Sequence, residues 1–227
     1  MNSIDLNADL GEGGADDAAL LELVDSANIA CGGHAGSEEI MRRTVALAMA
    51  AGVAAGAHPG YEDRANFGRR EMVMAPEAVT ELVMRQVGKF AAITGGVVHH
   101  VKPHGALYHQ AHREASLAAA VVKGIQKVAP DALLYALPDS LLAAAGRAAG
   151  MTVRAEGFAD RRYRADGSLV PRGEPAAVIS EVPEAVAQAL ELARSGRIAT
   201  LCVHGDGPQA LAMLRAIRAA FSARTEK

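Results

Sequence analysis

Four short apolar segments of this chain each run into a histidine: Ile29-Ala30-Cys31-Gly32-Gly33-His34, Val53-Ala54-Ala55-Gly56-Ala57-His58, Val97-Val98-His99-His100-Val101-Lys102-Pro103-His104 and Thr200-Leu201-Cys202-Val203-His204. Read as strands, they put four of the eight histidines at or just beyond strand C-termini. In parallel α/β folds the C-terminal strand ends and the loops after them share one face, and ligands bind there. One histidine in such a place is more often a satisfied loop or core residue, but four in equivalent places point to a common site. The third segment is the richest, since it continues through Lys102 and His104 to Tyr108.

The surrounding pattern alternates strand and helix. Strands are expected over 4–10, 27–31, 53–58, 97–101, 132–137, 152–156 and 199–204. Helix signals fall between them: Asp16-Asp17 before Leu20, Leu21 and Val24; Ser37 before Glu38 and Glu39, with Gly52 as the stop; Pro76 at a start and Gly95-Gly96 at an end; and Pro138-Asp139-Ser140 before Leu141. Leu117, Val121, Ile125 and Val128 mark a helix after the fourth strand, and helices over 183–195 and 208–221 follow the sixth and seventh. Seven such units predict a parallel sheet, closed as a seven-stranded β/α barrel of the TIM type in one domain over residues 1–227, with an open doubly wound sheet as the rival. In the first strand Ile4, Leu6, Ala8 and Leu10 alternate with Asp5, Asn7 and Asp9. If the strand lines a barrel, the polar set looks inward, and carboxylates so close together persist only where cations, protons or donors compensate.

Charge and composition exclude several partners. With 23 basic and 26 acidic residues interspersed and 4% aromatics, the chain offers neither a basic stripe nor a stacking platform for nucleic acid. The longest uncharged stretch, from Thr44 onward, is too short and Ala/Gly-rich to span a bilayer, and the N-terminus lacks a signal-peptide pattern, so a cytoplasmic location is expected. Cys31 and Cys202 lie in apolar runs and read as buried thiols, a Cys31/His34 nucleophile pair being supported by proximity alone. Two polar, arginine-bearing stretches, 62–70 and 157–167 with Arg172 beyond, read as lids over the mouth, the first also suiting anion binding or a partner surface and the second also fitting a merely solvated loop. Gly205-Asp206-Gly207-Pro208-Gln209-Ala210 matches the dinucleotide fingerprint, but no later strand supplies the ribose-binding acid, and no Walker-type phosphate loop occurs.

Several segments together, Asp5-Leu6-Asn7-Ala8-Asp9-Leu10-Gly11-Glu12, Ala27-Asn28-Ile29-Ala30-Cys31-Gly32, Gly56-Ala57-His58-Pro59-Gly60-Tyr61, Phe67-Gly68-Arg69-Arg70, Val101-Lys102-Pro103-His104-Gly105-Ala106-Leu107-Tyr108, Phe158-Ala159-Asp160-Arg161 and Cys202-Val203-His204-Gly205-Asp206, closely resemble the LamB/YcsF family, in the same order over nearly the whole chain. The resemblance implies a barrel of the glycoside hydrolase/deacetylase type. It implies the A subunit of an ATP-dependent 5-oxoprolinase that works with B and C subunits and Mg-ATP to open 5-oxo-L-proline to L-glutamate. The chain departs from the family pattern in a shorter 12–16 segment, in Gly33 where a phenylalanine is customary, and in lacking an insertion between Arg197 and Cys202.

A five-membered lactam is resonance-stabilised and releases little strain on opening, so phosphorylating the amide oxygen with ATP is a sensible route to an attackable carbon. The site then needs a base for water, a cation for the developing oxyanion and donors for the substrate carboxylate. Asp9, His58 and His104 are the candidate bases and Lys102 the cation; as a group acting only in the transition state, Lys102 is expected to be replaceable without loss of stability. Asn7, Glu12, Asn28, His34, Asp160, Arg161, His204 and Asp206 are the candidate substrate-binding groups. Two alternatives stay open: a metal-dependent amide or N-acetyl hydrolase, with Asp9 and His34, His58 or His104 around a divalent ion, and a non-catalytic barrel that binds a small acid. The spacings match no standard short metal motif, so the metal question stays open too.

Overall fold

Leu6, Ala8 and Leu10 alternate along the first strand with Asn7 and Asp9, and all five are buried. A strand with one apolar and one polar face, both shielded from water, fits a sheet that closes on itself, with helices outside and side chains filling the inside. The computed structural model describes residues 4–225 and has this architecture. Among the described residues seven parallel strands, β1 (Asp5–Leu10), β2 (Ser26–Ala30), β3 (Ala54–His58), β4 (His100–Val101), β5 (Leu133–Ala136), β6 (Val153–Phe158) and β7 (Thr200–His204), close in sequence order, with β7 pairing back onto β1. The closed barrel rules out the open doubly wound sheet.

Eight helices of the described residues surround it: α1 (Asp17–Leu21), α2 (Glu38–Ala50), α3 (Pro76–Ile93), α4 (Gly105–Arg113), α5 (Ala115–Val128), α6 (Leu141–Ala148), α7 (Val182–Ser195) and α8 (Ala210–Thr225). Ser37 and Ser140 cap α2 and α6 by accepting the amides of Ile40 and Ala143, as the sequence signals predicted. The apolar core lies between barrel and helices, where Leu6, Ile29, Val101, Leu134 and Leu201 of the strands meet Val83, Phe90, Val121, Ile125 and Leu214 of the helices. Among the described residues no helix is long and apolar enough to cross a membrane.

Two elements differ from expectation in ways that shape the site. The fourth strand is only two residues long, because Val97 is exposed and the ladder to β5 starts at His100. The helical region after it begins directly at Gly105 and breaks at Glu114, whose backbone is extended, so a separate α4 lies at the mouth. The sixth strand runs two residues further than its alternation suggested and pairs Phe158 with Cys202, which brings Phe158 to the cleft.

The barrel interior is polar. At the N-terminal end Asp5 accepts hydrogen bonds from Ser26, Thr200 and Tyr135. One layer up, Asn7 donates to Glu156 and to Thr200, and Asn28 donates to Asn7 at 2.7 Å and to Asp9 at 2.8 Å. His100 bonds the Asn28 carbonyl oxygen through Nε2 at 2.8 Å and stacks on Tyr135 with ring centroids 4.0 Å apart. Its ring occupies the space beside Gly56, where a Cβ would lie 2.3 Å from the imidazole. Glycine is therefore required at this inward position of β3 by its neighbour, not by its own backbone angles.

Candidate functional site

The polar interior rises into a cleft at the C-terminal strand ends. Lys102, one residue past β4, points its Nζ to within 2.9 Å of both Asp9 Oδ1 and Glu156 Oε1, and donates to Cys202 Sγ at 3.1 Å. Burial opposes the ammonium, but Asp9 leads the groups that hold its pKa well above the usual lysine range. Burial likewise opposes the Asp9 carboxylate, yet Lys102, His58 and His204 hold it well below its ordinary value. Glu156, fully buried, is raised by that burial against the pull of Lys102. Of the two carboxylates on this lysine, Asp9 is thus the anion and Glu156 the one nearer to protonation; Tyr108 donates to the second oxygen of Glu156 at 3.0 Å.

Around Asp9 stand two histidines with different supports. His204, the last residue of β7, bonds Asp160 through Nδ1 at 2.9 Å and turns Nε2 toward Asp9 Oδ2, 3.8 Å away. A carboxylate on Nδ1 keeps a proton there, so in the neutral ring it is Nε2 that presents a lone pair. Burial works against the Asp160 anion, but His204 overcomes it and lowers its pKa. His58, the last residue of β3, donates Nδ1–H to the Lys102 carbonyl at 2.7 Å and places Nε2 3.4 Å from Asp9 Oδ2.

Beside them lies a tight group. His104 Nδ1 is 2.9 Å from His58 Nε2, His104 Nε2 is 2.9 Å from the Phe67 carbonyl, and the His34 ring stacks on His104 at 3.6 Å. Glu12 Oε1 stands 3.1 Å from His34 Nε2 and 3.5 Å from His104 Nδ1. Burial pushes His34 and His104 well below the usual imidazole range and Glu12 well above the usual carboxylate range. One donor atom from each of Glu12, His34, His58 and His104 falls within 4.8 Å of the others, so this group can hold a metal ion.

The cleft, about 730 Å³, is lined on its floor by Asp9, His58, Lys102, His104, Phe158 and His204. Arg161 is buried in the wall, hydrogen-bonded to the carbonyls of Val170 and Ala177, with no carboxylate within ion-pair distance among the described residues. The two stretches read as lids both line the cleft as loops. The first contains a 3-10 turn at Arg64–Asn66; the second is held by antiparallel bridges Arg161↔Val178 and Tyr163↔Leu169. Asp206, in the loop after β7, pairs with Arg69 of the first lid and Arg172 of the second.

Asp9, His58, Lys102, His104, Arg161 and His204 thus converge on one cleft, with Asp160 directly behind His204. Asn7 and Asn28 are fully buried below the floor and reach it through Asp9 and, for Asn7, through Glu156 on Lys102. Glu12 and His34 belong to the four-donor group, and Asp206 sits at the rim, tying the lids. The nucleophile pair is not formed: Cys31 belongs to the apolar core, donates to the Ile29 carbonyl, and burial pushes its thiol up to about 12. Glu156, His100, Thr200 and Cys202 join the polar interior without being candidate site residues by motif or spacing. Extending the period-two rule from β1 to every strand finds them, since His100 and Lys102, Glu156 and Phe158, and Thr200, Cys202 and His204 are the inward sets of their strands.

The family model of the LamB/YcsF family matches residues 4–227. The crystal structure of a lactam utilization protein from Thermus thermophilus is 38% identical over 98% of this chain and 97% of that one, with a TM-score of 0.91. A T48 deacetylase solved with substrate aligns over 98% of this chain and 84% of that one at a TM-score of 0.54 and 13% identity, a likeness of fold alone. The motifs, the closed barrel and the match over almost the whole length agree: the chain belongs to the LamB/YcsF family.

Proposed function

We propose that this chain is the lactam-opening subunit of an ATP-dependent 5-oxoprolinase, acting in the cytoplasm with B and C subunits to convert 5-oxo-L-proline to L-glutamate. The observation that carries the reading is the convergence of a carboxylate-supported histidine, a buried ammonium and a buried guanidinium on one cleft floor and wall. A compact cyclic amide bearing one carboxylate asks for these three groups. The solved relative described as a lactam utilization protein supports the substrate class.

Arg161 takes the substrate carboxylate, because its guanidinium is buried and its hydrogen bonds among the described residues go to neutral carbonyls. Lys102 is held charged by Asp9 and stabilises negative charge at the lactam oxygen. His204 accepts the proton of the attacking water at Nε2, and Asp160 steadies the imidazolium that results. The cleft also fits a polyanion. Among the described residues six arginines, Arg69, Arg70, Arg113, Arg161, Arg164 and Arg172, line it; Arg69 and Arg172 share Asp206 and Arg164 pairs with Glu174, so phosphate at the rim would be held by these three in exchange for those pairs. ATP, when bound with magnesium, supplies the phosphoryl group that activates the amide oxygen.

The test is reconstitution. The chain mixed with its B and C partners, 5-oxoproline and Mg-ATP should release glutamate and phosphate in equal amounts, the isolated chain should be inactive, and Asp9→Asn and His204→Ala should abolish glutamate release. ATP-independent deacetylation of an N-acetyl compound by the isolated chain, with no glutamate from the mixture, would overturn the reading.

A further inference from the structure

The four-donor group has a hydrogen-bonding pattern that the lactam chemistry above does not use. His58 gives Nδ1–H to the Lys102 carbonyl, 2.7 Å away, and a carbonyl can only accept, so in the neutral ring His58 Nε2 carries a lone pair. His104 gives Nε2–H to the Phe67 carbonyl at 2.9 Å, so its Nδ1 carries a lone pair as well. These two nitrogens are 2.9 Å apart and face each other. With both rings neutral, acceptor meets acceptor, and the contact calls for positive charge at this point, either a proton that makes one ring an imidazolium or a metal ion between or beside the two. Glu12 brings a carboxyl oxygen to the same point, 3.5 Å from His104 Nδ1 and 3.1 Å from His34 Nε2. His34 is 1% exposed and its Nδ1 has no hydrogen-bond partner among the described residues, so this ring too is poorly satisfied by the protein alone.

Backbone carbonyls that fix the far nitrogens of two convergent imidazoles are the usual outer support of metal-ligating histidines. We propose that Glu12, His34, His58 and His104 form a binding site for a first-row divalent cation of the zinc type. Three imidazoles and one carboxylate suit zinc, cobalt or iron and suit magnesium or calcium poorly, since those ions prefer all-oxygen shells. Bonds of about 2.1 Å in a tetrahedron need donors roughly 3.4 Å apart, so donors already within 4.8 Å of one another need only small side-chain movements. His58 and His104 also line the cleft, which gives the ion a way in. The proposal does not depend on the lactam reading, because it concerns occupancy and not turnover.

The test uses the full chain, stripped with a chelator and titrated with Zn2+ by calorimetry and with Co2+ by visible absorption. One equivalent should bind, with the ligand-field bands of four- or five-coordinate cobalt. Glu12→Gln and His34→Asn should each weaken binding at least 10-fold, whereas His112→Asn, a cleft residue outside the group, should bind normally. Should a variant fail to fold, nitrogen-15 spectra of the wild-type histidines give the second readout: His58 and His104 should show opposite neutral tautomers whose unprotonated nitrogens shift on adding Zn2+. A folded chain that binds neither ion at millimolar concentration, binding undiminished in both variants, or an imidazolium in the group that zinc leaves unchanged would each overturn the proposal. A chain that binds zinc but yields no glutamate with its partners would sink only the functional reading. One that yields glutamate and binds no zinc would sink only the metal site.

Discussion

Replacing Lys102 by methionine keeps side-chain length and removes one charge, and the structure makes this a stability experiment as much as a kinetic one. The Lys102 side chain is 3% exposed and its Nζ bridges two carboxylates, each at 2.9 Å. Removing one partner from a buried ion pair typically costs about 3–5 kcal/mol, because the remaining charge is left without compensation. Here two carboxylates remain, so we place Lys102→Met near the upper end, about 4–5 kcal/mol, corresponding to a fall in Tm of roughly 10–20 °C for a domain of this size. Glu156, already raised by burial, loses the neighbour that holds it down and rises further in the folded state. A carboxyl raised on folding supports the fold below its unfolded pKa and ceases to as pH rises through the folded one, so the deficit should be smaller at pH 5 than at pH 8. The double variant Lys102→Met/Glu156→Gln, with one fewer buried anion, should recover part of the loss. Denaturant and thermal unfolding of the three proteins at both pH values is the assay. A single variant within about 1 kcal/mol of wild type at pH 8 would refute the reasoning and restore the sequence-based expectation that this lysine is dispensable for stability.

Gly56→Ala should cost about 1–3 kcal/mol or more, measured by urea unfolding, because its Cβ would lie 2.3 Å from the His100 ring within the barrel. Asp160→Asn, assayed in the reconstituted enzyme, should lower kcat by roughly 100-fold or more with little change in KM, since the amide cannot hold His204 in its tautomer or support its charge. Asp160 has its pKa lowered on folding, so its contribution is present above about pH 4 and is lost as pH falls through the folded value; the gap in stability between wild type and Asp160→Asn should close over that acid range. Arg161→Gln should raise KM for 5-oxoproline at least 10-fold and leave KM for an uncharged lactam analogue unchanged, which steady-state kinetics would show.

Much of the barrel was legible because most strands announce themselves by an apolar run and the helices by an apolar period, two of them with a serine cap as well. Ser37 and Ser140 marked starts that the structure keeps, and Gly95-Gly96 marked an end. Strand four was misjudged because Val97 and Val98 are β-branched and adjacent, yet the ladder to β5 begins only at His100. The four histidines at strand ends led to the cleft, but their pairings were not readable: the Asp160–His204 contact joins residues 44 positions apart, and the tautomers of His58 and His104 are set by backbone carbonyls that no side-chain pattern encodes. The departure at Gly33 is also explained only in three dimensions. A Cβ there would lie 2.6 Å from Gln86, whose amide makes two hydrogen bonds to the Gly60 backbone, so the position given to phenylalanine in the family pattern is here filled from α3.

The polar filling of the barrel bears on how the chain completes itself. The seam between β1 and β7 joins the first strand of the barrel to the last, and there Thr200 serves Asp5 and Asn7, while His204 stands over Asp9. Sliding β7 by one residue would put Leu201 and Val203 against these groups and Thr200 and His204 against the apolar helices. Closure is therefore proofread by hydrogen bonds: the wrong register strands acids against hydrocarbon, and the right one satisfies them together. Before β7 arrives, the inner face of the open sheet is one that water solvates well. A ribosome-bound chain waiting for its last strand thus presents a hydrated inner face where an aliphatic barrel would present a sticky one, which disfavours association with its neighbours on the same message.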